Sequence, residues 1–267
     1  MSTSPNNTTS QPTPPDAVSS VHKPQDPQHQ APGIPIGLWL YPLGIGFVAV
    51  LAIMPLDRWI DASLHTKSLG GDVRRELQAL QQFGQGTISV LIGITIFLLD
   101  PKNRVRLIDW VVSAAVLGVV ATGLKMFIGR ARPRLRDPFD PDLFLGPFGK
   151  YPLGGKAGEI NIVHSWELWQ PKISDLWSMP SSHTVFAVLC AFVLSKLYPK
   201  IAPVVIFLAV LVGFCRVLFD SHYASDVAAG AAVGYAVTAV VWRWSPGSRW
   251  FGDKGGRGTN PPLSGET

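Results

Sequence analysis

Continuous apolar runs dominate the chain, near residues 38–56, 83–99, 107–128, 183–197, 201–218 and 227–242. Each is close to the roughly 17 to 25 residues that a helix needs to cross about 30 Å of hydrocarbon. Backbone in lipid must satisfy its own hydrogen bonds, so unbroken runs predict helices, and strands would alternate instead. The pattern therefore predicts an all-α, polytopic membrane protein, a bundle of six transmembrane helices over residues 36–245. Gly230 and Gly234, four apart among alanines in the last run, permit close helix packing. Val73, Leu77, Leu80 and Phe83 mark one face of a short amphipathic helix lying on the membrane.

Polar stretches flank this apolar block. Residues 1–35 are rich in Ser, Thr, Pro, Gln and Asn and have too little apolar surface to offset the entropy of ordering. They read as a disordered cytoplasmic tail, and residues 246–267, rich in Gly, Pro and Ser, as a second flexible one. The start lacks the short apolar segment and small-residue cleavage site of a signal peptide. Charged residues make up 15% of the chain, against about 25% in soluble domains, and they gather between the apolar runs. The net charge of +5 suits contact with anionic lipid, and nothing in the pattern points to nucleic acid. Cys190 and Cys215 sit inside apolar runs, at no metal-ligand spacing and in no disulfide framework.

Charge in the short links sets an orientation. Lys102, Arg104 and Arg106 follow the second run, Lys196 and Lys200 the fourth, and Arg243 and Arg249 the sixth; the turn 220–226 has neither Lys nor Arg. The positive-inside rule then puts both termini in the cytoplasm, with the protein in the plasma (inner) membrane.

Polar residues at membrane level concentrate on one side. Lys125 closes the third run and Arg132 follows seven residues later, on the same face if the helix continues. Pro180, Ser181, Ser182 and His183 open the fourth run, Arg216 closes the fifth, and His222 and Asp226 open the sixth. Counting crossings brings all of these to the boundary opposite the cytoplasm. Lys125, Arg132 and Arg216 offer cations, and the guanidinium groups match phosphate oxygens bidentately. Pro180 suits a first helical turn, whose free N–H groups and dipole favour an anion. His222 and Asp226 are one helical turn apart, so the carboxylate is expected to hold the imidazole in one tautomer for nucleophilic attack. His183 is a second imidazole, placed to protonate a leaving oxygen. Arg130, Arg134 and Arg136 flank this pattern and read as solvated or headgroup-facing.

Lys125-(six residues)-Arg132-Pro133, Pro180-Ser181-Ser182-His183 and Arg216-(five residues)-His222-(three residues)-Asp226 resemble, in order, the three signature motifs of the type-2 phosphatidic acid phosphatase superfamily, membrane branch. The resemblance implies a lipid phosphatase without cofactor or metal, working through a phosphohistidine. His222 would attack phosphorus, Asp226 orient it and His183 protonate the leaving group. Lys125, Arg132, Ser181, Arg216 and the Ser182 backbone N–H would bind the phosphoryl oxygens. The implied substrate is a membrane lipid phosphate: phosphatidic acid, phosphatidylglycerol phosphate or a polyprenyl diphosphate. Ser182 replaces the usual Gly, and Cys215 the Ser that usually opens the third motif.

A lipid phosphotransferase would begin with the same nucleophile. A transporter would place its ionisable groups near the midplane, whereas here they gather at a boundary. The loop 129–179, with Phe139, Phe144, Phe148, Trp166, Trp169 and Trp177, is long for a structureless connection and is expected to cover the site or anchor at the interface.

Overall fold

The computed structural model describes residues 34–64, 70–135, 144–154 and 160–251. The two tails up to residue 33 and from 252, together with Arg136 and Phe139, lie outside the described residues. The elements are almost entirely helical: α1 (Gly37–Ile53), α2 (Asp57–Leu64), α3 (Gly71–Leu80), α4 (Gly86–Leu99), α5 (Arg104–Ile128), α6 (Ser182–Leu197), α7 (Ala202–Leu218), α8 (Ala224–Trp244) and α9 (Pro246–Phe251).

Every apolar run becomes helix, though not every one is long. Among the described residues, Gly37–Leu64, Pro101–Ile128, Pro199–Leu218 and Ala224–Phe251 have the length and composition to cross a membrane. Gly71–Gly84 with Gly86–Leu99 adds a fifth if the pair, bent by 63°, counts as one span. α6 is apolar but only 16 residues long. Prolines bracket it: Pro180 precedes its cap and Pro199 follows its end, and a proline restricts the residue before it to extended backbone. Four to five spans thus pass on length where six were expected, and the shortfall lies in α6 and the bent pair.

The centre of the bundle is α6. Val185, Leu189, Cys190 and Val193 are fully buried and pack with Leu117 of α5 and Val212 of α7. α8 approaches closely because Gly230 and Gly234 face α6: a Cβ at Gly230 would lie 2.7 Å from the Ser181 carbonyl oxygen, and one at Gly234 2.9 Å from that of Val185. The small-residue spacing is therefore a packing device. α1 and α4 expose apolar side chains such as Ile45, Phe47, Ile94 and Leu98, as helices facing lipid do. α3 carries Val73, Leu77 and Leu80 of the expected stripe, with Val73 and Leu80 exposed, whereas Phe83 follows the helix in a 3-10 turn and packs against the bundle core.

Two stretches read as loose are folded. Residues 246–251 form α9, with Pro246 and Gly247 buried, and the Gly247 N–H donates to Asp109 of α5 at 2.7 Å. The first six residues of the stretch expected to be flexible are therefore helical, because that buried carboxylate anchors the backbone. The long loop carries an antiparallel hairpin, β1 (Lys150–Gly154) with β2 (Ile160–His164), pairing Tyr151 with Val163. Ala131, Leu153, Val163, Ile173 and Leu176 give it a small core of its own.

Candidate active site

α5 ends at Ile128 because Gly129 adopts φ +58°, the left-handed residue that commonly stops a helix. A Cβ at Gly129 would lie 2.9 Å from the Ser165 side chain, so glycine is required for space as well. Arg132 is therefore off the helix, and the shared helical face expected for Lys125 and Arg132 does not form. They converge by another route, since residues 129–132 run beside 174–178. The Ser178 N–H donates to the Arg130 carbonyl at 3.0 Å, and the Arg132 N–H to that of Asp175 at 2.8 Å. Lys125, buried in the last turn of α5, donates from Nζ to the Trp177 carbonyl at 2.7 Å. The Arg132 Nε donates to the Ser174 carbonyl at 2.8 Å.

Ser181 is the extended cap of α6 and Ser182 its first helical residue, so Pro180 lies before the cap and not in the first turn. The Ser181 N–H donates to the Asp226 carbonyl at 3.1 Å, and its Oγ accepts from Thr184 Oγ1 at 3.1 Å. The N–H groups of Ser182 and His183 follow, and a helix leaves its first donors without intrahelical partners. Arg216 in the last turn of α7 donates from Nη1 to Gln81 at 3.2 Å, while its buried Nε has no partner among the described residues.

His222 lies two residues ahead of α8 and is buried. Its spacing from Asp226 is not a helical turn, and Nδ1 stands 3.8 Å from Asp226 Oδ2, too far for a hydrogen bond. The Ser178 carbonyl accepts from Nδ1 at 2.6 Å instead. A carbonyl can only accept, so Nδ1 carries the hydrogen and the Nε2 lone pair is left free. Asp226 acts around this contact: Oδ2 accepts from the Tyr223 N–H at 2.9 Å and from Ser178 Oγ, and Oδ1 from Arg130 at 2.7 Å.

Arg130 corrects the sequence expectation most sharply. It is not solvated but fully buried, an ion-pair partner of Asp57 at 2.9 Å and of Asp226 at 2.7 Å. A guanidinium can be buried only where carboxylates offset its desolvation. Asp57, Gln81 and Ser178 escaped sequence reasoning. Asp57 carried a signal, an acidic residue at the end of an apolar run, which is a functional candidate by default. Gln81 and Ser178 carried none, because their roles come from neighbours distant in sequence.

The expected residues do converge. Arg216, Arg132 and Lys125 all act electrostatically on His183, and Arg132 and Lys125 also on His222. Ser182 joins them through its place at the start of α6. Burial pushes the His222 imidazole down to about 3, against the pull of Asp226, so the ring is neutral in ordinary conditions. Burial and neighbouring Arg134 lower Arg132 to about 10, and it stays charged at neutral pH. Among the described residues no group of three or more His, Cys, Asp or Glu side chains is arranged to hold a metal. The arrangement offers a neutral imidazole with a free Nε2, three cations, a helix N-terminus and a second imidazole.

Comparison with known proteins gives a consistent picture. A model of the PAP2 superfamily matches residues 106–250. Lipid A 1-phosphatase of Rhizobium etli is 27% identical over 217 residues, covering 73% of this chain and 83% of that protein. Its namesake from Rhizobium johnstonii is 28% identical over 231 residues, covering 79% and 83%. The transmembrane PAP2-type phosphatidylglycerolphosphate phosphatase of Bacillus subtilis shares the fold with a TM-score of 0.51 and 18% identity, over 77% of this chain and 94% of that one.

Proposed function

Because the chain belongs to the PAP2 superfamily, we propose that it is an integral-membrane lipid phosphatase acting through a phosphohistidine. The observation that carries this reading is the His222 ring, neutral and anchored at Nδ1, beside Lys125, Arg132, Arg216 and the N-terminus of α6. Nε2 attacks phosphorus in line with the lipid oxygen, and the P–O bond breaks as the P–N bond forms. His183 gives its proton to the departing alkoxide or phosphate, then takes one from the water that attacks the phosphohistidine. Inorganic phosphate leaves and His222 returns to its neutral state. The three cations, Ser181 and the Ser182 N–H hold the three oxygens as charge builds on them. The roles assigned to His222, His183 and the three cations call for no metal, an expectation that EDTA tests directly.

Six membrane elements fit this reading: the long segments ending in α2, α5, α7 and α9, the bent pair α3–α4, and α6 buried among them. Lys102, Arg104, Lys196, Lys200 and Arg243 belong to the end of the bundle away from the site. The positive-inside rule supports an extracytoplasmic site and cytoplasmic termini. The substrate class is a lipid bearing a terminal phosphate or diphosphate, and the similarity to lipid A 1-phosphatases adds a phosphorylated glycolipid to phosphatidic acid, phosphatidylglycerol phosphate and polyprenyl diphosphate.

The test is phosphate release in detergent from these four lipids, with EDTA present, for wild type and His222→Ala. Release by the wild type, with a trappable acid-labile phosphoenzyme that His222→Ala lacks, is expected. Lipid consumed without free phosphate would move the assignment to a phosphotransferase. Undiminished turnover by His222→Ala would overturn the nucleophile.

A further inference from the structure

The residues that matched the family's motifs do not include Arg130 or Asp57, yet these two make the most heavily bonded group at the site. Arg130 Nη1 donates to Asp226 Oδ1 and to Ser225 Oγ, both at 2.7 Å, and Nη2 donates to Asp57 Oδ2 at 2.9 Å. Tyr223 and Phe144 rings lie over the guanidinium, 4.2 and 4.8 Å from its carbon to their centroids. Asp57 Oδ1 accepts the Ser225 N–H at 3.0 Å, and Ser225 Oγ donates to Asp57 Oδ2. The side chain that opens α2, within the first long helical segment, therefore fixes the first turn of α8, the turn that carries Asp226.

From there the bonds lead to the nucleophile. Asp226 is held at Oδ1 by Arg130, and its Oδ2 holds Ser178 by the hydroxyl. The carbonyl of the same Ser178 holds His222 Nδ1. All five residues, Asp57, Arg130, Asp226, Ser178 and His222, are at most 1% exposed. Buried hydrogen-bonded chains of this kind restrict each member to one geometry, because a broken link leaves a desolvated polar group without a partner. Two carboxylates against one guanidinium also put net negative charge behind the ring, where it favours the positive charge that His222 acquires on attack.

We propose that Asp57 and Arg130 are positioning residues that act through Asp226 and Ser178 to keep the His222 ring aligned on the phosphate. The inference rests on the reading of His222 as nucleophile. Neither residue touches substrate, so their loss slows the chemical step and leaves phosphate binding to Lys125, Arg132 and Arg216 intact. A misplacement of about 1 Å transmitted to a reacting atom costs on the order of 100-fold.

A double-mutant cycle tests this, with kcat, KM and the thermal midpoint in detergent measured for Arg130→Gln, Asp226→Asn and the pair. The expected result is a kcat lower by roughly 10- to 100-fold in Arg130→Gln with KM within about twofold, and a double variant no slower than the slower single one. Losses that multiply would overturn the proposal. Arg130→Lys keeps the charge in the core but cannot bridge both carboxylates, so it is expected to fold and remain slow. Wild-type kcat in that variant would equally overturn it. Asp57→Asn with Arg130→Gln removes one buried charge of each sign and leaves the net charge of the cluster around Asp226 as in wild type, so the thermal midpoint is expected to recover relative to Arg130→Gln alone. Turnover that returns with the midpoint would make the network structural only; a stable but slow enzyme supports positioning. His222→Ala in the same assay isolates the premise: if it turns over normally, the nucleophile is wrong, whatever coupling the cycle measures.

Discussion

The two ends of the α5–α8 pair each bury charged groups, and they solve that problem differently. At the end away from the site, Asp109 accepts from Arg106 at 2.9 Å and from the Gly247 N–H at 2.7 Å. Arg106 also donates to Ser245 Oγ at 2.7 Å and lies over Trp242, 4.8 Å from its centroid. One cation meets one carboxylate, and the result ties α9 to the bundle. At the other end, the two carboxylates near the site are engaged with Arg130. Among the described residues Lys125, Arg132 and Arg216 have no ion-paired carboxylate of their own, only the more distant pull of Asp175 on Arg132 and of Asp226 on both Lys125 and Arg132. Like charges gathered in a buried place are unfavourable alone and favourable around an anion. Balanced charge suits architecture; an excess of one sign, aimed at one spot, is what the proposed phosphate site requires.

Substitution at each end separates the two uses, and this gives the largest effect. Arg216→Ala should lower kcat/KM by about 100- to 1,000-fold, the range for removing one donor to a developing oxyanion. Its thermal midpoint should hold or rise, since a repelling cation has gone. Asp109→Ala should do the reverse, destabilising the protein by about 2–4 kcal/mol while kcat per folded molecule stays at the wild-type value. Phosphate release and thermal unfolding on the same purified samples decide it. A stability loss in Arg216→Ala as large as that in Asp109→Ala would erase the distinction.

Acid should expose a second contrast, because the site end carries a buried neutral histidine. The His222 pKa is lowered to about 3 when folded, against about 6.5 when unfolded. Between these values the unfolded chain binds the extra proton, so stability is present above about pH 6.5 and is lost as pH falls towards 3. The slope should be on the order of 1 kcal/mol per pH unit for this one group. Thermal midpoints from pH 7 to 4 should fall less steeply in His222→Asn than in wild type. The acid limb of kcat/KM should likewise lie below the ordinary imidazole range, and an acid limb near pH 6.5 would contradict a neutral buried ring.

Much of this was legible in the chain, and what was missed has a pattern. Apolar runs gave the helices because hydrophobicity is a local property that lipid enforces along the whole segment. Lys125, His183, Arg216, His222 and Asp226 were readable because each lies where a run starts or stops, so counting crossings sufficed. The contact that holds His222 was not readable: it is a backbone carbonyl, which every residue possesses, and Ser178 offers no signal of its own. Asp226 was expected to fill that place on helical spacing, but α8 begins after His222, and helix boundaries are the least certain part of any sequence pattern. Arg130 looked like one more loop arginine because its partners Asp57 and Asp226 lie 73 and 96 residues away. The folded loop was hidden for the same reason, its core being assembled from residues as far apart as Ala131 and Leu176.

The smallest expected effect lies along the flank of α6, where its polar start gives way to an apolar face. Thr184, Val188, Ala191 and Ser195 follow one another at helical spacing, opposite Ala209 and Gly213 of α7 and Ala224 and Ala231 of α8, around an apolar groove of about 630 Å³. From Thr184 to Lys196 the helix rises about 18 Å at 1.5 Å per residue. Small side chains on all three helices keep this space open, and Thr184 at its upper end bonds to Ser181 in the proposed phosphate site. A lipid tail lying there would extend a substrate whose phosphate is held by the cations, adding binding energy common to ground and transition states. Such uniform binding changes KM and leaves kcat alone. Ala231→Leu, which narrows the groove without touching the polar end, should therefore raise KM for a long-chain lipid phosphate by about fivefold, roughly 1 kcal/mol, the scale of a methylene or two in an apolar pocket. Turnover of a short-chain, water-soluble phosphate monoester should be unchanged in both constants. Equal KM changes for the two substrates would place the groove outside substrate binding and leave the cationic end as the sole determinant of affinity.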